Sequence, residues 1–173
     1  MSSPSKDDLI SQLGGLVMRW QDANQRYDEA VGARWGLNAS ERLCLSFLMH
    51  GPQTASAIAA ETRLTPAAVT ALVDRLADRG FVRRRPDAND RRKVMVEAAD
   101  AAHALAAQAY GPPQQAVAAM LARYSAAELD AFIRILEDSV ALQRRLTEEL
   151  IAEDAQSKGP PSGRPERKGR TGG

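Results

Sequence analysis

Residues 65–96, TPAAVTALVDRLADRGFVRRRPDANDRRKVMV, constrain the fold more than any other part of this chain. Thr65 is suited to cap a helix, Pro66 to its first turn and Gly80 to the position just past its end. Val69, Leu72, Val73 and Leu76 recur at helical spacing and define one buried face, which leaves Thr65, Ala67, Ala68, Thr70, Ala71, Asp74 and Arg75 outward. Small residues near a helix N-terminus admit close approach of another surface, and the partial positive charge there favours phosphate. Period-two alternation over residues 81–85 and 93–97, around the turn-forming PDANDRR, predicts a hairpin with Val82, Val94 and Val96 inward. Helix, tight turn and basic hairpin together predict a winged helix-turn-helix, in which the helix reads base edges in a major groove and the wing reaches a neighbouring minor groove.

The preceding residues supply the rest of that order. Residues 7–31 have apolar positions near helical spacing, weakened locally by Gly14-Gly15, and Gly36 is placed to end the region. Asn38-Ala39-Ser40-Glu41 has capping-box spacing for a helix to about His50, which Gly51-Pro52 stops. Thr54 then caps a short helix through Arg63, with Ile58, Ala59 and Leu64 as its buried side. Charge supports the assignment: residues 64–95 hold eight Lys and Arg against four Asp and Glu, whereas residues 96–154 hold ten acids against four bases. A solvated loop is the plain alternative, but a hairpin would bring Arg83, Arg84 and Arg85 together with Arg91, Arg92 and Lys93.

After the hairpin an alanine-rich helix is expected to be kinked or broken at Gly111-Pro112-Pro113 and to resume to about Tyr124. Ser125-Ala126-Ala127-Glu128 offers another capping box, for a last helix to about Ala152. The apolar positions of that helix exceed what a lone peripheral helix needs, and with those of residues 9–20 they predict burial against a second subunit. The expected organisation is an N-terminal dimerisation helix (1–35), a winged helix-turn-helix (36–98), C-terminal dimerisation helices (99–153) and a disordered basic tail (154–173). The fold class is mainly α with a small β-hairpin wing.

Several function classes are excluded or left without support. No apolar run approaches the roughly 20 residues that span a bilayer, and the start lacks a secretory pattern, so a cytoplasmic protein is expected. Cys44 is the one cysteine, which precludes an internal disulfide and a cysteine-based zinc site within one chain. It reads as a small buried residue, with an oxidant-sensing thiol as the sharper alternative. His50 and His103 lie in separate helices without metal-ligand spacing, and neither a phosphate loop nor a nucleophile elbow occurs. No catalytic constellation and no cofactor is therefore expected.

LTPAAVTALVDRLADRGFVRR and the wing motif DANDRR resemble the multiple-antibiotic-resistance regulator (MarR) family, over about residues 7–153. The resemblance implies a homodimeric winged-helix transcriptional regulator, mostly a repressor in that family. It also implies Arg92 as the wing arginine in the minor groove, Asp90 orienting it, and Arg75 as the recognition-helix arginine. Glu97-Ala98-Ala99-Asp100-Ala101 departs from the family's common Leu-Thr-x-x-Gly and alters the cap of the following helix.

On this reading a dimer places two recognition helices in successive major grooves of a near-palindromic operator on double-stranded DNA. Thr70 and Arg75 bond base edges or phosphate, Pro66, Ala67 and Ala68 allow close approach, and the helix N-termini at Thr54 and Thr65 hold phosphates. Arg83, Arg85, Arg91 and Arg92 serve the wing, so specificity draws on DNA shape as well. The resemblance further implies release by a small aromatic or phenolic ligand, for which Trp20, Tyr27, Arg34, Trp35, Met49 and His50 are the candidate residues; ordinary core aromatics and surface charges explain these residues as well. A helical protein-interaction adaptor on the same scaffold, or a thiol-based redox-responsive regulator acting through Cys44, is the alternative function.

Overall fold

The computed structural model describes residues 4–87, 90 and 93–157, the last three without their side chains. Arg91, Arg92 and the expected basic tail beyond residue 157 lie outside the described residues. The chain divides into two compact units, residues 1–116 and 117–173.

The first unit opens with α1 (Lys6–Trp35), whose N-terminus is fixed by a capping box between Ser5 and Asp8. Gly36 ends it at φ 62°, and the Leu37 N–H reaches back to the Gly32 carbonyl at 2.8 Å. α2 (Ala39–Leu48) starts from the expected box: Glu41 N–H donates to Asn38 Oδ1 at 2.9 Å, and Asn38 N–H donates to Glu41 Oε2 at 3.0 Å. β1 (Gln53–Thr54) is followed by α3 (Ala55–Thr62), α4 (Pro66–Asp78), β2 (Val82–Pro86) and β3 (Val94–Ala98). Gly80, at φ 73°, lets the Phe81 N–H bond the Leu76 carbonyl at 2.9 Å, so α4 turns directly into the hairpin.

The three strands form an antiparallel sheet in the order β1-β3-β2, with Val82 opposite Ala98 and Arg84 opposite Val96. β1 was not expected. Its two residues carry no period of their own and are strand only because Gln53 and Thr54 pair with Val96 and Met95. Val82 and Val96 are buried as expected, but Val94 is 55% exposed, which corrects its inward assignment. Val94 shares its face with Val96 and Ala98, yet it pairs with Pro86 at the far end of the ladder, where Val82, Val96 and Ala98 have already met the core.

Ile58, Val69, Leu72, Val73 and Leu76 are almost fully buried and pack with Leu45, Leu48, Val82, Val96 and Leu105. Each such side chain contributes about 1.5–3 kcal/mol by leaving water. Among the described residues, no buried side-chain nitrogen or oxygen lacks a hydrogen-bond partner.

α5 (Asp100–Leu121) runs unbroken through Pro112 and Pro113, where an interruption was expected. Pro113 has no N–H to give the Ala109 carbonyl four residues earlier. The Tyr27 hydroxyl from α1 takes that place, donating to Ala109 O at 2.5 Å, and beside it Tyr110 Oη donates to Asp28 Oδ1 at 2.9 Å. A tertiary contact thus satisfies the carbonyl that Pro113 leaves without its helix donor.

The second unit contains α6 (Ala126–Ser157), which begins at the expected Ser125–Glu128 box and extends past the expected Ala152. Phe132, Ile133, Val140, Leu142, Leu146 and Leu150 are all exposed on it. No helix of the described residues is long and apolar enough to cross a membrane.

Candidate nucleic-acid interface

α4 is held to the core by Val69, Leu72, Val73 and Leu76, and the opposite face of the helix is presented outward. Thr65, Pro66, Ala67, Thr70, Ala71, Asp74 and Arg75 are exposed on it, and Ala68 is half-buried. Thr65 Oγ1 accepts from Ala68 N–H at 3.3 Å, and Thr70 Oγ1 donates to Pro66 O at 3.1 Å. Because the Thr70 hydroxyl spends its proton on the helix, it remains an acceptor toward anything outside. Thr54 caps α3 in the same way as Thr65 caps α4, accepting from Ala57 N–H at 3.2 Å. The two helix N-termini and the small face between them suit a phosphate-lined groove.

The arginines are more committed than their count suggests. Arg83 and Arg85 each donate through Nε to one carboxylate, Glu97, at 2.6 and 2.5 Å. Cross-strand register causes this, since Arg83 lies directly opposite Glu97 on β3 and Arg85 is its diagonal neighbour. The hydrogen bond from Arg83, then that from Arg85, holds the Glu97 carboxyl below its ordinary range. Arg84 points to the other side and pairs with Asp74 of α4 at 2.7 Å, tying wing to helix. Arg79 donates to the Gly36 and Trp35 carbonyls and lies over the Phe81 ring, a structural clamp between the ends of α1 and α4. Arg75 donates through Nε to buried Glu41 at 3.2 Å. Sequence reasoning missed Glu97, Asp74 and Glu41 as partners; opposite charges at complementary strand positions were the available signal for Glu97 alone.

At the end of β2 the Asp87 carboxylate accepts from Asp90 N–H at 2.9 Å, and Asp87 N–H donates to the Lys93 carbonyl at 2.9 Å. The expected partner of Asp90, Arg92, is outside the described residues, as is Arg91.

Within the first unit, a cavity of about 960 Å³ opens between α1, α2 and α5, lined by Asp28, Val31, Arg42, Met49, Leu105 and Tyr110 among others. Of the ligand candidates, Met49 reaches it. Tyr27 stands next to it through its 6.1 Å ring contact with Tyr110. Trp20 is exposed on α1, Arg34 stacks on Trp35 at the end of that helix, and His50 bonds back to Ser46 O; none of the four lines the cavity. The structure instead brings Asp28, Arg42 and Tyr110 there, and burial followed by the Asp28 bond pushes the Tyr110 hydroxyl up to about 12. These polar residues sit on three separate helices, so local sequence gave no sign of their meeting.

Cys44 has no exposed surface, and burial, then the charge of Glu41, raises its thiol to about 11. Both effects suppress the thiolate that oxidant sensing requires.

A helix presented by a winged helix-turn-helix, with a basic hairpin beside it, is the arrangement with which helix-turn-helix regulators meet DNA. Residues 35–93 match the profile of the MarR family. The chain is 27% identical to the uncharacterized HTH-type transcriptional regulator YwhA of Bacillus subtilis (strain 168), over 72% of this chain and 89% of that one. It is 33% identical to the HTH-type transcriptional repressor YetL of the same organism, over 47% of this chain and 48% of that one. Its fold is similar to the structure of a MarR family protein from Bacillus stearothermophilus, with a TM-score of 0.56 and 22% identity, covering 86% of this chain and 99% of that one. Over residues 35–93 the chain is thus similar to the MarR family, and the relatives it matches are named as transcriptional regulators.

Proposed function

We propose that this protein is a homodimeric repressor that occupies a near-palindromic operator and is released by a small aromatic or phenolic ligand. The observation that carries the DNA-reading part is the outward face of α4, small and polar from Thr65 to Arg75, between the capped N-termini of α3 and α4 and beside the wing. Small side chains let the helix backbone approach base edges, and Thr70 and Arg75 supply the polar contacts. Arg83 and Arg85 support the wing's phosphate contacts, and Arg92→Ala is expected to weaken binding by about 1–3 kcal/mol at matched salt.

Dimerisation is supported by the apolar residues that α1 and α6 each leave exposed, Leu9, Leu13 and Trp20 on one and Phe132, Leu142 and Leu146 on the other. Repression is supported by the name of the YetL relative. Ligand release is supported by the cavity, whose 960 Å³ lies within the roughly 300–1,000 Å³ of small-molecule sites and whose walls mix Met49 and Leu105 with Asp28, Arg42 and Tyr110. A ligand acts only through its difference in affinity for the DNA-competent and released geometries.

Fluorescence anisotropy on a duplex from the protein's own upstream region, against a scrambled competitor and over a salt series, tests the reading. Tight binding that survives competitor, with two chains per site and weakening on addition of simple phenols, supports it. Equal, salt-labile binding to both duplexes means that region holds no operator, and a selection from random duplexes then separates a regulator acting elsewhere from an adaptor.

A further inference from the structure

We propose that Glu41 is a positioning residue for base reading: from its buried place at the start of α2, its carboxylate holds the Arg75 side chain in the attitude in which Arg75 meets DNA. The inference rests on the DNA-reading role of α4 and adds a determinant of specificity that lies outside the recognition helix.

Glu41 is 5% exposed, one of the two buried polar residues among those described, alongside Thr62. Both of its oxygens are committed. Oε2 accepts the Asn38 N–H at 3.0 Å and so is fixed to the backbone at the head of α2. Oε1 accepts Arg75 Nε at 3.2 Å, thirty-four positions along the chain. The carboxylate therefore does not swing between partners; the capping bond anchors one oxygen and aims the other.

The consequence lies on Arg75. Its side chain remains 54% exposed although its Nε is engaged by a buried group. Nε is the inner donor of the guanidinium fork, and an acceptor held there leaves the terminal pair of nitrogens, the edge that fits O6 and N7 of guanine or two phosphate oxygens. Arg75 also borders a shallow groove lined by Ala68, Ala71, Asn38 and Ser40, which gives the long side chain a rigid bed. Ordering of the arginine precedes the encounter, so less side-chain freedom is lost on binding than for an unsupported arginine. A charge buried only to stabilise α2 would not need the second contact, since Asn38 and Glu41 already complete the capping box between them.

The test is selection of preferred duplexes from a randomised pool by the full-length protein and by Arg75→Ala, Glu41→Gln, Glu41→Asp and Asn38→Ala, with thermal melting of each. The wild type is expected to show a preferred base at a symmetric pair of positions that Arg75→Ala loses. Glu41→Gln and Glu41→Asp should lose preference at those same positions, by roughly tenfold, the scale of one bidentate contact. The Arg75→Ala/Glu41→Gln pair should show no loss beyond Arg75→Ala. Asn38→Ala breaks the cap but keeps the Arg75 pair, so it should melt lower with unchanged base preference; a merely structural Glu41 would make Glu41→Gln and Glu41→Asp behave in the same way. Wild-type preference in folded Glu41→Gln or Glu41→Asp overturns the proposal. So does tighter binding by Glu41→Gln, which would make Glu41 a competitor of DNA for Arg75. A wild type that selects no sequence defeats DNA reading as a whole, whereas an Arg75→Ala variant with wild-type preference defeats this inference and Arg75's part in base reading, and leaves DNA binding by the rest of α4 standing.

Discussion

Glu97 accepts from two wing arginines at once, so the charge available to a phosphate backbone is less than three adjacent arginines imply. Glu97→Gln removes that negative charge and is expected to raise non-specific duplex affinity several-fold and to steepen the log–log salt slope by about one, read by anisotropy over a salt series. The same carboxyl is held below its ordinary range by Arg83 and Arg85, in that order. A group with a lowered folded value contributes stability above its unfolded value, about 4.3 for Glu, and loses it as pH falls through the lower folded value. The fall in melting temperature as pH drops below about 4.3 should accordingly be shallower in Glu97→Gln than in the wild type. At Cys44, complete burial and a thiol near 11 predict that alkylation of the native protein proceeds only at the rate of opening. DNA affinity should be unchanged after mild peroxide; rapid labelling with loss of binding would restore the redox reading.

At the scale of elements, what could be read from sequence was what is encoded locally. The caps at Asn38, Thr54, Thr65 and Ser125, the Gly36 and Gly80 endings and the buried stripe of α4 all rest on residues within a few positions of each other. What escaped depends on distant partners. β1 exists through β3, and alternation gave the face of Val94 but not the point at which the core ends beneath it. α5 is the fullest case, since Pro113 predicts a break from local rules and Tyr27, 82 positions from its acceptor Ala109, relieves it. Tyr27→Phe is expected to cost about 1 kcal/mol in denaturant unfolding, because the Ala109 carbonyl loses its donor. In a Pro113→Ala background the helix regains that donor, so the same substitution should cost clearly less; equal costs in both backgrounds would separate the tyrosine from the proline. The candidate site divides the same way. The outward set of α4 followed from periodicity, whereas Arg42, Asp28 and Tyr110 come from three helices and meet only in the fold.

For the whole molecule, the proposed dimer explains why α1 and α6 keep large apolar side chains exposed on a single chain. Sedimentation equilibrium should give twice 18.7 kDa, and Leu142→Glu with Leu146→Glu should shift it toward one chain and weaken operator binding together. A monomer that binds DNA as tightly as the wild type would leave those faces unexplained. The central claim is narrower, that the outward face of α4 enters DNA, and Ala67→Glu tests it most directly. Ala67 is exposed in the first turn of α4, where an acidic residue favours the helix through its macrodipole but opposes a phosphate-lined groove. The account predicts a melting temperature equal to or above the wild type together with at least a tenfold loss of operator affinity in anisotropy. Wild-type affinity in the folded variant would contradict it, and DNA would have to be met by another surface.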